Sequence, residues 1–249
     1  MNIKVISFNI RFKDDANGHS ILERARRLKK ILDKYAPDVI GFQEYTPAWE
    51  KIIRKAMSGT YEIFNQYRND PEGTPILWRK DKFECVKKGC FWLSDTPEKV
   101  SRGWDKKCNC SRICLYAVLL DKKTGKNFTH MNTHFGFGDE CQTKSAELIY
   151  NYSNKISKFP TFITGDFNMT PGSAGYGKIT RYFTDVNAVT VNDRRDTYHG
   201  YDPNKEWNQH IDYCFITKGI IPENFKIIDD VIEGRFPSDH WGLCIELKI

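Results

Sequence analysis

The stretch from Ile3 to Glu44 constrains this chain more than any other. Residues 3–10 are apolar and rich in β-branched side chains, which predicts a buried strand. From Ser20 to Tyr35, Ile21, Leu22, Ala25, Leu28, Ile31, Leu32 and Tyr35 recur at helical spacing and are expected on one face. Ser20 followed three residues later by Glu23 is a capping box, in which a hydroxyl and a carboxylate satisfy amides that a helix start leaves unpaired. Pro37 ends the helix, and Val39-Ile40-Gly41-Phe42 predicts a second short buried strand. Strand, helix, strand over so few residues is a βαβ unit, whose two strands run parallel. Parallel strands bring their carboxyl ends to one sheet edge, where open α/β sheets place their chemistry. Asn9 and Glu44 stand at those ends.

A second helix is expected from Thr46 as cap and Pro47 as first helical residue to a stop at Gly59. From Tyr61 to Leu120 short strands alternate with turn-rich stretches, among them Ile76 to Trp78, Phe83 to Val86 and Leu115 to Leu120, a texture that predicts antiparallel pairing. Asp121 to Gly125 reads as a hairpin turn into a strand from Asn127 to Asn132. A helix is expected at Thr143 to Ser157 with Leu148, Ile149, Tyr152 and Ile156 inward, and strands at Phe159 to Thr164, Ile211 to Thr217 and Leu243 to Leu247. There is no internal repeat, low-complexity tract or linker, and 249 residues lie within the range of one large domain, 1–249. Mixed strands with interspersed helices predict an α/β fold of two packed sheets with helices outside.

No segment approaches the ~18–20 uncharged apolar residues of a membrane-spanning helix. The net charge of +6, from 38 Lys+Arg against 32 Asp+Glu, permits a phosphate-bearing partner without demanding one. Between Glu23 and Lys34 there are six basic and two acidic residues. A solvated helix face is the simpler expectation; the alternative is a polyanion track shared with Arg112 and the Lys106-Lys107 pair. The N-terminus carries no secretory leader pattern, so the expectation is a cytoplasmic chain whose eight cysteines stay reduced. Cys108, Cys110 and Cys114 form a C-x-C-x3-C cluster; with Cys141 alone elsewhere, free thiols are favoured over zinc. Nothing implies an obligate protein partner.

Compact polar groups close several strands: Ser7-Phe8-Asn9, Gln43-Glu44, Asn132-Thr133-His134, Gly165-Asp166-Phe167-Asn168, His210-Ile211-Asp212-Tyr213 and Ser238-Asp239-His240. Singly, each has a structural explanation. Asn9 can cap a strand end, Glu44 can be a solvated acid, Gly165 to Asn168 can be a turn, and His134 or His240 can be a satisfied structural histidine. In order, they resemble the endonuclease/exonuclease/phosphatase superfamily, the DNase I-like group, over nearly the whole chain from Ser7 to His240. The resemblance implies a four-layer α/β sandwich, two mixed β-sheets packed face to face with helices outside, and one active site at the sheet edges. The tail Phe236-Pro237-Ser238-Asp239-His240-Trp241-Gly242-Leu243 is similar to the corresponding segment of tyrosyl-DNA phosphodiesterase 2, whereas Phe167 stands where that branch has Thr.

Hydrolysing a phosphate ester needs charge neutralised on non-bridging oxygens, a water aimed in line and a stabilised leaving oxygen. Mg²⁺ (or Mn²⁺) suits one or two carboxylates and retained waters. The expected metal ligand is Glu44, with Asn9 and Asp239 beside it. Asp166 is of the type to orient or deprotonate the attacking water, and Asn168 to donate its amide to the phosphate and hold Asp166's loop. Asp212 and His240 read as a carboxylate–imidazole pair, and His134 as a second imidazole for a phosphoryl oxygen or leaving group. Whether Asp166 or His240 is the base stays open. Arg112 is expected to grip phosphate bidentately, a surface salt bridge being the alternative. Trp92 and Trp104, in a block resembling a bacterial-type subgroup, either stack a base or sugar or pack in the core. The expected activity is Mg²⁺-dependent phosphodiester cleavage of a nucleic acid or nucleotide-like substrate. The alternatives are a phosphomonoesterase on a nucleotide or inositol phosphate, and a nucleic-acid-binding protein without catalysis.

Overall fold

The computed structural model describes residues 1–249. The opening unit is β1 (Asn2–Asn9), α1 (Ile21–Tyr35) and β2 (Val39–Gln43), with Val5 to Asn9 paired in parallel to Val39 to Gln43. The capping box closes: the Ser20 hydroxyl accepts from the Glu23 amide, and the Glu23 carboxylate accepts from the Ser20 amide at 3.1 Å. Leu22 departs from expectation and is 54% exposed. At 3.6 residues per turn it lies well off the stripe formed by Ile21, Ala25, Leu28 and Leu32. Then come α2 (Pro47–Met57), β3 (Tyr61–Phe64), β4 (Ile76–Arg79), β5 (Phe83–Trp92), β6 (Ile113–Asp121) and β7 (Asn127–His134). The chain continues through α3 (Asp139–Ile156), β8 (Thr161–Asp166), α4 (Ala174–Ile179), β9 (Thr184–Asp185), α5 (Val186–Val189), β10 (Asp212–Ile216), β11 (Ile221–Ile228) and β12 (Gly242–Lys248).

Two six-stranded sheets result, in the orders β11-β12-β1-β2-β4-β3 and β5-β6-β7-β8-β10-β9. Each has one parallel pair at its centre, β1 with β2 across α1 and β7 with β8 across α3, and is otherwise antiparallel. Both sheets are therefore mixed, and each brings two strand carboxyl ends to the same edge.

Three hydrophobic clusters separate four layers. Ile3, Val5 and Val39 of the first sheet meet Leu115, Phe162 and Cys214 of the second. Ile6, Phe8 and Ile40 face outward onto Leu28 of α1 and Trp49 of α2. Met131, Ile163 and Tyr213 pack on Ala146 and Ile149 of α3 and Ile179 of α4. Side chains alternate along a strand with both faces buried, which is why these strands read as near-continuous apolar runs.

Toward the edge carrying the strand ends, the layer between the sheets turns polar. Gln43 donates from Nε2 to Asn132 Oδ1 at 2.8 Å, Thr164 donates to the same oxygen at 3.0 Å, and Asn132 Nδ2 donates to the carbonyls of Phe42 and Pro75 at 2.8 and 2.9 Å. Gly41 permits this approach, because a Cβ there would sit 2.5 Å from Asn132 Oδ1. Buried polar groups paired in this way fix how one sheet sits on the other.

Other expectations need correction. Arg24 and Arg27 on α1 are buried rather than solvated. Arg24 donates to the carbonyls of Arg11, Lys13 and His19, and Arg27 to those of Gly18 and Phe236. Trp92 ends β5 in the inter-sheet core, and Trp104 lies under Lys144 of α3 at 5.4 Å, so neither offers a stacking platform at the strand ends. Cys114 is buried on the α3 side of the second sheet, apart from Cys108 and Cys110, so the three thiols do not form one cluster.

Candidate active site

The polar strand ends converge. Asn9 closes β1 and Glu44 follows β2; His134 closes β7 and Asp166 closes β8 directly beside it in register. Asp212 opens β10 opposite Asp166, and Ser238-Asp239-His240 leads into β12. Asn9 joins the two sheets: its Nδ2 donates to Glu44 Oε1 at 3.1 Å and to Asp166 Oδ2 at 3.0 Å. Its backbone carbonyl accepts the Ser238 hydroxyl at 2.6 Å, which ties down the last segment. Glu44 and Asn168 have φ of 59° and 49°. The left-handed backbone turns the chain sharply after each strand, and Asn tolerates it better than most residues. The Asn168 amide donates to Asp166 Oδ1 at 3.0 Å, and its side chain donates to the Phe135 carbonyl at 2.9 Å. Asn168 thus holds the Asp166 loop, with one side-chain N–H committed to backbone.

Asp212 and His240 are the paired carboxylate and imidazole, Oδ2 to Nδ1 at 2.9 Å. The Thr197 hydroxyl, which accepts from the Ile211 and Asp212 amides at 2.9 and 3.0 Å, places the carboxylate. His240 Nε2 then points toward Asp166 Oδ2, 3.8 Å away. Burial alone would lower the His240 pKa, but the Asp212 charge and the hydrogen bond its carboxylate accepts from Nδ1, with Asp166 and Asp239 nearby, push it up to about 10. Burial, reinforced by the Asp212 charge, raises Asp166 to about 7. Burial also raises Asp239, which has the Arg11 guanidinium 3.5 Å away.

His134 Nε2 lies 3.4 Å from Asp166 Oδ2, and its Nδ1 lies 3.5 Å from Glu72 Oε1. Arg68 holds Glu72 at 2.8 Å and Asp70 at 2.6 Å. Burial and the Arg112 charge keep His134 well below the ordinary histidine pKa. Arg112 is only 5% exposed, its Nε has no hydrogen-bond partner, and Asp105, at 3.6 Å, is the one carboxylate within 4 Å. Its ion pair with Asp105 is buried rather than at the surface. These groups line a cleft of about 690 Å³ whose walls include Phe12, Pro71, Phe137, Tyr198 and Ile211.

The donor set fits a hard divalent cation: Glu44 and Asp239 line the cleft as neighbouring like charges, with Asn9 on Glu44. The tightest group of ligand-type atoms is Asp166, Asp212 and His240, all within 4.8 Å of one another, rather than Glu44, Asn9 and Asp239. Of the expected metal set, Glu44 and Asn9 touch, and Asp239 stands near Glu44 as a like charge.

Residues 6–100 match the profile of the Endonuclease/Exonuclease/phosphatase family. Tyrosyl-DNA phosphodiesterase 2 of Rattus norvegicus is 26% identical over 261 residues, covering 99% of this chain and 67% of that protein. The endonuclease/exonuclease/phosphatase of Bacteroides vulgatus superposes with a TM-score of 0.91 at 28% identity, covering 100% of this chain and 99% of the other. A mannosyl-6-phosphatase of Bacteroides thetaiotaomicron gives 0.91 at 28% identity, covering 99% and 100%. Over residues 6–100 in sequence, and over the whole chain in fold, the protein is similar to the endonuclease/exonuclease/phosphatase family. These likenesses support a phosphoester hydrolase. No helix is long and apolar enough to cross a membrane. The site residues that the sequence does not announce are Glu72, Arg68, Arg11 and Thr197. All lie on loops without periodicity, and only their positions in space reveal them.

Proposed function

We propose that this chain is a divalent-metal-dependent hydrolase of a compact phosphate ester, a phosphomonoester of a sugar-like alcohol first. The observation that carries the reading is Arg112, a buried guanidinium ion-paired with Asp105 but with no hydrogen-bond partner on Nε, in the same cleft as His134, Asp166 and His240. A phosphate oxygen pair satisfies such a group bidentately. Compactness is supported by the fate of the basic residues. Lys29 pairs with Asp33, Lys30 with Glu233, Lys34 with Asp230 and Lys106 with Glu140, while Lys107 lies over Phe137 at 4.5 Å. Of the exposed cations on the expected track, Arg26 and Lys107 are left without a carboxylate partner. The mannosyl-6-phosphatase likeness supports the sugar-phosphate class.

Glu44, with Asn9 and Asp239 beside it, would hold the cation (Mg²⁺, or Mn²⁺), and a bound cation supplies charge neutralisation to a non-bridging oxygen. Asp166, with its carboxyl raised toward neutrality, accepts the proton of the attacking water at Oδ2. His240, kept protonated by Asp212, donates a hydrogen bond from Nε2 to the phosphoryl group, and Arg112 and His134 hold the remaining oxygens; as the P–O bond to the alcohol breaks, the proton taken by Asp166 returns to the departing oxygen. Asn168 keeps Asp166 aimed.

The tyrosyl-DNA phosphodiesterase 2 relatives support a second reading, phosphodiester cleavage of a nucleic acid or nucleotide-like substrate. Phe12 favours it too: the ring is 40% exposed at the cleft rim beneath the Arg11 guanidinium, where a base could stack. The test is kcat/KM with Mg²⁺ for hexose phosphates, nucleoside monophosphates, bis-p-nitrophenyl phosphate and an oligonucleotide, each at low and high salt. Monoesters turned over fastest with a flat salt response support the first reading. A preferred oligonucleotide whose turnover collapses with salt transfers the assignment to the second.

A further inference from the structure

A second cleft, of about 390 Å³, meets the first at Arg11, Tyr198 and Asp239. Its far wall is the loop between β1 and α1, and buried Arg24 pins that loop by donating to three of its carbonyls. On this wall His19 is 8% exposed, with its ring centroid 4.0 Å from that of Tyr201. His19 Nδ1 is buried with no hydrogen-bond partner. Beside it, the Asp15 carboxylate accepts the Tyr201 hydroxyl at 3.2 Å. Burial, with Arg27, Arg235 and Arg24 nearby, pushes His19 below the usual histidine pKa, so the ring is neutral. A neutral imidazole offers one donor and one acceptor.

We propose that this side cleft receives the alcohol portion of the substrate, that this portion is polyhydroxylated like a hexose or cyclitol, and that His19 reads one of its hydroxyls. The proposal rests on the compact-ester reading above. A hydroxyl both donates and accepts, as a neutral imidazole does. A second phosphate would meet the carboxylates of Asp15 and Asp239, and Arg11, the cation lining this cleft, is already paired with both at 3.0 and 3.5 Å; an apolar arm would leave His19 Nδ1 unpaired. The pinned loop presents these groups without an ordering cost on binding.

The experiment measures kcat and KM with Mg²⁺ for mannose 6-phosphate and myo-inositol 1-phosphate beside p-nitrophenyl phosphate, in wild type, His19→Ala and His19→Gln, with thermal melts of each. Ligand-observed NMR follows the binding of free mannose and myo-inositol to the same proteins. His19→Ala should lose about tenfold in selectivity for the hydroxylated esters over the aryl ester, through KM, as expected for lost neutral hydrogen bonds. His19→Gln should recover most of it, and free polyol should bind wild type but not His19→Ala. Equal losses on both ester types, or unchanged selectivity, would overturn the subsite. Aryl phosphate turnover with no preference for hydroxylated esters and no polyol binding removes the subsite and leaves the phosphatase reading standing. Polyol binding lost in His19→Ala, without turnover of any monoester, does the reverse.

Discussion

Asp212 holds His240 Nδ1 at 2.9 Å with one carboxylate oxygen and leaves the other, Oδ1, buried without a partner. The bound oxygen fixes the ring so that Nε2 faces Asp166, and the carboxylate charge keeps the imidazole protonated. His240→Ala removes the donor and should lower kcat by about 10²–10⁴, the usual range for an acid–base group. Asp212→Asn keeps the ring in place but weakens its charge, so the loss should be smaller. Steady-state kinetics on folded variants decides this; an Asp212→Asn loss exceeding that of His240→Ala would mean the carboxylate acts directly.

Glu72 reaches His134 Nδ1 at 3.5 Å while Arg68 restrains it from behind. Its role is to hold the His134 ring with Nε2 facing the cleft, so Glu72→Gln should lower kcat by about tenfold with little change in KM, and Glu72→Ala by more. An effect confined to KM would place Glu72 on the substrate instead.

Asn9 and Glu44 were legible in the sequence as neighbours because each ends a strand of one βαβ unit, and parallel strands end at one edge. That His134, Asp166, Asp212, Asp239 and His240 join them was carried by the family resemblance, not by strand pattern. Glu72 was not legible. It sits in a turn-rich stretch held by the bridges of Gly73 with Tyr45 and Tyr67, and no local pattern announces a partner 62 residues onward. Nor could charge alone separate Arg24, which is buried on carbonyls, from Lys29 on the same helix, which pairs with Asp33 at the surface. β11 escaped notice because Pro222 and a shift in pairing register interrupt its alternation, as befits an edge strand.

Metal removal gives a further prediction. Activity should vanish in excess EDTA and return with Mg²⁺ or Mn²⁺, and Glu44→Gln should raise the metal concentration at half-activity by about tenfold or more. Glu44 offers the Asn9-linked carboxylate, and loss of a charged oxygen ligand weakens hard-cation binding. Full activity in EDTA would remove the metal from the mechanism.

Stability should carry the signature of His130. Its ring is fully buried, stacked on Phe162 with centroids 4.6 Å apart, and Nε2 lies 2.7 Å from the Thr164 hydroxyl. Burial lowers its pKa from 6.5 to about 3. Above pH 6.5 folded and unfolded chains both hold it neutral, and its contribution to stability is fully present. Between pH 6.5 and about 3 the unfolded chain takes up a proton that the folded chain refuses, so stability falls with acid by about 1.4 kcal/mol per pH unit once the unfolded group is protonated. His130→Phe keeps the stack on Phe162, and Thr164 keeps its bond to Asn132 at 3.0 Å. Urea unfolding of both proteins from pH 7.5 to 4.5 measures the effect. The slope of unfolding free energy against pH should be shallower in the variant by one proton's worth below pH 6, whatever its absolute stability. Parallel slopes would show that His130 takes up its proton without unfolding.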